Sequence, residues 1–211
     1  GGTGGGSGAY VANQVFTVAE GETLTLTIGT PGTNSTQGSY PNYSAESGNN
    51  TQLAGSSTGT LFTLGGGGGG GSSGGSSPNG STRTNTASSG GSVSNLGTVL
   101  TSGTFKESDG STVSIPSATS LVGGVITSYN QSGSGVAGVT GQNCGSDNCN
   151  QPGGNGGASY NGAVSGGTGR FGSTGDAGSQ GSGGGGGGAQ PQTAGGAGGT
   201  GEIVYRFLRV T

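Results

Sequence analysis

GGTGRFGSTGDAGSQGSGGGGGGA, residues 166–189, carries glycine at 166, 169, 172, 175, 178, 181, 184 and 187, eight consecutive triplets without a miss. Glycine has no Cβ, so an edge built from glycines lets another backbone approach closely. A period of three matches the polyproline II helix, which has three residues per turn and a rise of about 3.1 Å. Collagen uses the same geometry with imino acids. This stretch has no proline and the whole chain only six, which disfavours a triple helix. The spacing instead predicts passes of polyproline II helix packed edge to edge, joined by N–H···O=C bonds and Cα–H···O contacts between passes. Pairs such as Gly166-Gly167 and Gly195-Gly196 bare two edges of a pass and let it sit in the interior. A flexible Gly/Ser linker is the plain alternative, and the unbroken phase argues against it.

Outward from this stretch, the phase runs weakly through Gly65, Gly68, Gly71, Gly74 and Gly80, with Ser77 breaking it. It returns at Gly135, Gly138 and Gly141 and dominates 153–201. Of 211 residues 58 are Gly, and only 6% are charged, against about 7% Gly and about 25% charge in ordinary domains. Ordering glycine costs more backbone entropy than ordering any other residue. Backbone hydrogen bonding and close backbone packing must therefore compensate. A formal net charge of −3 does not drive the chain apart, so an ordered fold is expected rather than disorder.

Between the glycine runs the chain alternates like β structure. QVFTVAEGETLTLTIG predicts strands at about 14–18 and 23–28, paired as a hairpin about the Glu20-Gly21 turn. Residues 29–60 read as a long loop or irregular passes. Leu61-Phe62-Thr63-Leu64 is a short strand running into seven glycines. The stretch 96–105, the Asp109-Gly110 turn and Thr112-Val113-Ser114-Ile115 predict a second hairpin ended by Pro116. Residues 121–126 read as one more strand. EIVYRFLRVT is apolar on both faces and predicts a buried strand over 202–210 pairing near the N-terminal hairpin. The expected fold is a single glycine-rich domain over 1–211, mostly irregular and β, with no α-helix: a polyproline II bundle combined with short antiparallel strands. Its parts are a hairpin at 9–30, a first polyglycine segment at 61–91, a β segment at 92–127, a polyproline II segment at 133–201 and a closing strand at 202–211.

Composition also narrows function. There is no His, and the acids are scattered singly except Glu20 and Glu22, so general acid–base catalysis lacks its groups. Polyglycine runs such as GGGGGGGSS lack the Lys and the strand-to-helix context of a phosphate-binding loop. Five Lys plus Arg give no footprint for nucleic acid, and no apolar run is long enough to cross a membrane. No cofactor or metal is expected. Cys144 and Cys149 in CGSDNC lack further thiol or imidazole partners for zinc; they read as a small disulfide-closed loop in an oxidising setting, with two free thiols as the alternative. The start inside a glycine run reads as a processed or excised piece. Polar segments with tyrosine are the candidate contact surfaces: Tyr40 and Tyr43 in GSYPNYS, Tyr129 with Asn130, and Tyr160 with Asn161. For any one of them, covering a bare glycine edge is the alternative role.

Three stretches carry a family resemblance: GGGSGAYVANQVFTVAEGETLTLTIGTPG, GTLFTLGGGGGGG and GGAGGTGEIVYRFLRV. With them the chain resembles the glycine-rich domain of phage tail proteins and bacterial surface proteins, and is similar to the tail-fibre tip adhesins of T-even-like phages. That resemblance implies a polyproline II sandwich whose loops contact a host surface receptor, protein or glycan, on a virion or in an extracellular setting. A structural subunit of an extracellular fibre or sheath is the alternative expectation. Ice binding, by analogy with polyproline II antifreeze bundles, is a further one, weakened because Arg170, Phe171, Asp176 and Gln180 interrupt any flat Thr/Ala face.

Overall fold

The computed structural model describes residues 4–33, 46–70, 89–115, 120–121, 124–125, 131–133, 135, 137, 154–158, 166–170, 175–178, 196–200, 203, 205 and 207–210. Among them there is no helix. Short antiparallel strands alternate with irregular segments.

The largest sheet has four strands in the order β2 (Leu24–Thr27), β3 (Thr51–Gly55), β4 (Gly59–Leu64) and β5 (Val93–Ser94). β3 alternates buried and half-buried residues, as a strand with one apolar face should. β4 is buried continuously from Leu61 to Leu64, and a bulge explains part of this. Leu53 faces Phe62 while Ala54 faces Thr60, so Leu61 is an extra residue. It joins Leu53, Phe62 and Leu64 in one core cluster, with Ala9, Val11, Phe16, Val18, Leu24, Val93 and Ile203 packed around it. Each fully buried side chain of this size contributes about 1.5–3 kcal/mol.

The predicted first hairpin is not formed. The Glu20-Gly21 turn is real, with Glu22 N–H donating to Ala19 O at 3.2 Å, but the two arms pair elsewhere. β2 pairs with β3, and Phe16 bridges to Val99 while Leu100 N–H donates to Val15 O. The Phe16 ring lies 6.1 Å from that of Phe62, so the core claims this arm and carries it away from β2. β3 itself falls inside the stretch expected to be irregular. Ahead of both arms, β1 (Tyr10–Ala12) pairs with β10 (Gln131–Gly133) across more than a hundred residues.

The second predicted hairpin is present in shorter form, β6 (Gly103–Lys106) with β7 (Thr112–Ile115). Gly110 supplies φ +86° at its turn, and Asp109 accepts the Ser111 N–H at 2.8 Å. Phe105, Val113 and Ile115 are buried beneath it. The expected strand at 121–126 is instead two facing two-residue strands, β8 (Ser120–Leu121) and β9 (Gly124–Val125). The closing segment also departs from expectation. β11 (Arg209–Val210) pairs with β6 and not with the N-terminal arms, and Tyr205 and Phe207 are exposed rather than buried. Among the described strands β11 lies at the edge of its sheet.

Most of the remaining described chain consists of irregular glycine-rich passes bonded to one another. The hydrogen bonds close a circuit: 4–9 to 154–158 (Gly157 N–H to Gly5 O), 154–158 to 166–170 (Gly156 N–H to Gly167 O), 166–170 to 175–178 (Asp176 N–H to Thr168 O), 175–178 to 196–200 (Gly178 N–H to Ala197 O), 196–200 to 65–70 (Gly70 N–H to Gly196 O), and 65–70 back to 4–9 (Ala9 N–H to Gly65 O), each between 2.8 and 3.1 Å. Backbone stands where side chains would otherwise be. A Cβ on Gly5 would lie 2.0 Å from Gly68 O, and one on Gly166 would lie 2.0 Å from Gly156 O. The passes divide by sequence. At 4–7 (GGGS), 67–70 (GGGG) and 196–199 (GAGG) every residue is buried, whereas 166–170 (GGTGR) and 175–178 (GDAG) expose Thr168, Arg170 and Ala177. Near-continuous glycine marks an inner pass, and glycine separated by larger residues marks an outer one.

Candidate functional site

Tyr40, Tyr43, Tyr129, Asn130, Tyr160, Asn161, Cys144 and Cys149 all lie outside the described residues. What the structure describes is the framework on either side of them. Residues 29–33 and 46–51, which flank the segment with Tyr40 and Tyr43, are zipped together. Glu46 N–H donates to Thr33 O at 3.0 Å and Asn49 N–H to Thr30 O at 2.9 Å. Side chains repeat the match, Thr33 Oγ1 to Glu46 Oε2 at 2.7 Å and Asn49 Nδ2 to Thr30 Oγ1 at 2.6 Å. Gly29 N–H then reaches Thr51 Oγ1 at 3.0 Å, tying this stem to β3. A Cβ on Gly32 would fall 1.9 Å from Glu46 O, so the stem closes only because that residue is glycine. Tyr129 and Asn130 fall between β9 and β10, and Tyr160 and Asn161 between the bonded passes 154–158 and 166–170.

The opposite end of the large sheet is held by Glu22. Its Oε1 accepts Thr58 N–H at 2.6 Å, Thr58 Oγ1–H at 2.7 Å and Ser57 N–H at 2.9 Å, while Oε2 accepts Ala19 N–H at 2.8 Å. The Thr58 backbone and hydroxyl donors, with Ala19 and Ser57, hold the carboxyl down at about 2. The carboxylate occupies the place a Cβ on Gly55 would take, 2.0 Å from it. One of the two acids flanking the turn glycine is thus a clamp between two turns, ionised at neutral pH.

On the outer passes, Arg170 forms a two-pronged ion pair with Asp176, Nε to Oδ1 at 2.9 Å and Nη2 to Oδ2 at 2.6 Å. Both side chains face solvent, as the sequence indicates for a frame position, and the hydrogen bonds and charge of Asp176 raise the Arg170 pKa further. The pair stands between exposed Thr168 and Ala177 and breaks up any flat Thr/Ala surface.

A further surface was missed by sequence reasoning. Tyr205 and Phe207 are 55% and 62% exposed, and their rings meet edge to face at 5.6 Å and 79°. Next along the chain, Arg209 is the direct cross-strand partner of Lys106, and both are exposed. The signal was present in YRFLR, where aromatics alternate with cations. The apolar reading of both faces of that segment obscured it. Among the described residues no group of His, Cys, Asp and Glu is placed to hold a metal ion, and no helix is long and apolar enough to cross a membrane. Compared with protein-family models, curated proteins and solved structures, the chain matches none of them.

Proposed function

We propose that the chain is a non-enzymatic receptor-binding protein of a virion or cell surface, an adhesin that presents polar segments from a rigid glycine frame. The observation that carries this reading is the stem at 29–33 and 46–51. Five backbone and side-chain hydrogen bonds fix the base on which the segment with Tyr40 and Tyr43 is carried. Polar segments with tyrosine on fixed supports suit recognition, because Tyr offers a large amphipathic surface with few rotatable bonds. We read the passes themselves as polyproline II helices. Three residues per turn explain why outer passes need glycine on one edge only, while inner ones need it on nearly all.

The fluorescently labelled full chain, titrated onto a panel of bacterial cells, tests this. Replacing 36–44 with a Gly/Ser segment is expected to cut binding at least about tenfold, with the circular dichroism spectrum kept. Undiminished binding by that variant, or binding to no cell in the panel, counts against the adhesin reading. A fibre or sheath subunit is the second reading, supported by the outer edge of β2, which no described strand pairs; Leu26 and Ile28 are exposed there and residues 24–28 contain neither Lys nor Pro to blunt it. Concentration-dependent assembly in sedimentation favours this second reading; a monomer at millimolar concentration removes it.

A further inference from the structure

The β6–β11 face combines two features that are costly unless they are used. Arg209 and Lys106 are directly opposed across the ladder, with Cβ atoms about 5 Å apart on one side of the sheet. Like charges so placed destabilise a sheet. Among the described residues the ion pair shown is the distant Arg170–Asp176 pair. Lys106 Nζ is steadied by neutral oxygens, the Gly110 carbonyl at 3.3 Å and the Thr112 hydroxyl. Asp109 is turned to the Ser111 N–H, and Glu107 is buried. Lys106 and Arg209 are two of the five cations in a chain of net charge −3, and the ladder sets them side by side.

Beside these cations stand two exposed aromatic rings. Phe207 and Tyr205 alternate with Leu208, which is only half exposed, so they share the outward side with Arg209. Two large aromatics left in water forgo the stabilisation that burial would bring, and their rings pack on each other beside the two cations.

We propose that this face binds an acidic saccharide: the C–H side of a pyranose ring lies on Phe207 and Tyr205, and its carboxylate is taken by Arg209 and Lys106. The faces of aromatic rings are electron-rich and attract the weakly positive C–H edges of a sugar. A guanidinium matches a carboxylate in a two-bond fork, and an ammonium adds a point charge. Single-stranded nucleic acid also stacks on aromatics, but it needs a groove of cations tracking many phosphates, and this face offers two. The inference deepens the adhesin reading and rests on it for the setting in which a saccharide is met.

The test uses the full chain on immobilised polygalacturonate, with neutral dextran and an oligo-dT strand as comparisons. Wild type is expected to bind polygalacturonate and not dextran. Phe207→Ala, Arg209→Gln and Lys106→Gln are each expected to weaken binding about tenfold, while Arg209→Lys keeps most of it. Raised salt should weaken the wild type more than Arg209→Gln. If Phe207→Ala fails to fold, the two cation variants carry the test. Equal binding by all variants, equal binding of dextran, or tighter retention of oligo-dT than of polygalacturonate overturns the proposal. If the variants lose polygalacturonate but wild type binds no cell, this site stands and the adhesin reading falls. If wild type binds cells and the variants bind polygalacturonate unchanged, the site alone falls.

Discussion

The large sheet and the glycine passes solve the same problem with opposite materials. In the sheet, Leu53, Leu61, Phe62 and Leu64 fill the space between backbones, and removing side-chain volume is what does damage. In the passes, the backbones themselves fill that space, and adding volume is what does damage. The first depends on dispersion and apolar burial, which tolerate small rearrangements. The second depends on N–H···O=C bonds between chains less than a side chain apart, where neither partner has a flexible end to move. One molecule thus contains a core that resists loss and a core that resists gain.

Two substitutions would break that comparison if the two regions behaved alike. Phe62→Ala is expected to be the most destabilising, at about 3–5 kcal/mol, because it opens a cavity at the centre of the cluster. Gly5→Ala adds a single carbon where Gly68 O already stands 2.0 Å from the new Cβ. It is expected to reach the top of the overpacking range, about 3 kcal/mol. Urea unfolding of both variants checks this, and a Gly5→Ala cost below about 0.5 kcal/mol would mean that the passes yield as ordinary loops do. Gly21→Ala is the control. Its site has φ +75° but open space around it, so only the left-handed backbone penalty of about 1–2 kcal/mol applies.

The smallest effect sharpens the comparison through pH. Glu22 titrates near 2 when folded against an ordinary value of 4.5, so its contribution to stability is complete above about pH 5. It is lost as the pH falls from 4.5 toward 2, where the unfolded chain binds the proton first. Thermal unfolding followed from pH 6 to pH 2 should show a falling midpoint in the wild type and a shallower fall in Glu22→Gln. A residual slope is expected from Asp109, which the Ser111 hydroxyl and N–H also hold below the usual carboxylate value. Identical slopes in the two proteins would remove Glu22 as the clamp of the sheet.

Legibility followed the range of the interactions. β4 and the β6–β7 hairpin were readable because their signals are local: an apolar run entering glycine, and alternation about Asp109-Gly110. β3 was not, because TQLAG offers a single large apolar residue, and its pairing with both β2 and β4 is decided by those strands. The first hairpin misled because Glu20-Gly21 does make a turn, yet the carboxylate of Glu22 binds Ser57 and Thr58 across the sheet. The closing segment misled because apolar alternation on both faces suggests burial, whereas Tyr205 and Phe207 are exposed and Arg209–Val210 join the β6–β7 sheet at its edge. Of the candidate site, the stem could have been anticipated from Gly29 and Gly32 facing the Glu46 to Thr51 stretch, but the choice of partner is non-local and carries no period.

The circuit of passes has a consequence for when the molecule can form. The pass 4–9, buried at 4–7, is completed by 65–70 on one side and by 154–158 on another, and the ring shuts only when 196–200 reaches Gly70. Nearly the whole chain must be gathered before the first residues are satisfied, and a long loop closes at an entropic cost that precedes any reward. The early glycines spend the search as unfinished donors and acceptors, and the frame arrives late and all at once. Refolding should therefore show β4 amides protected from hydrogen exchange well before those of 5–7.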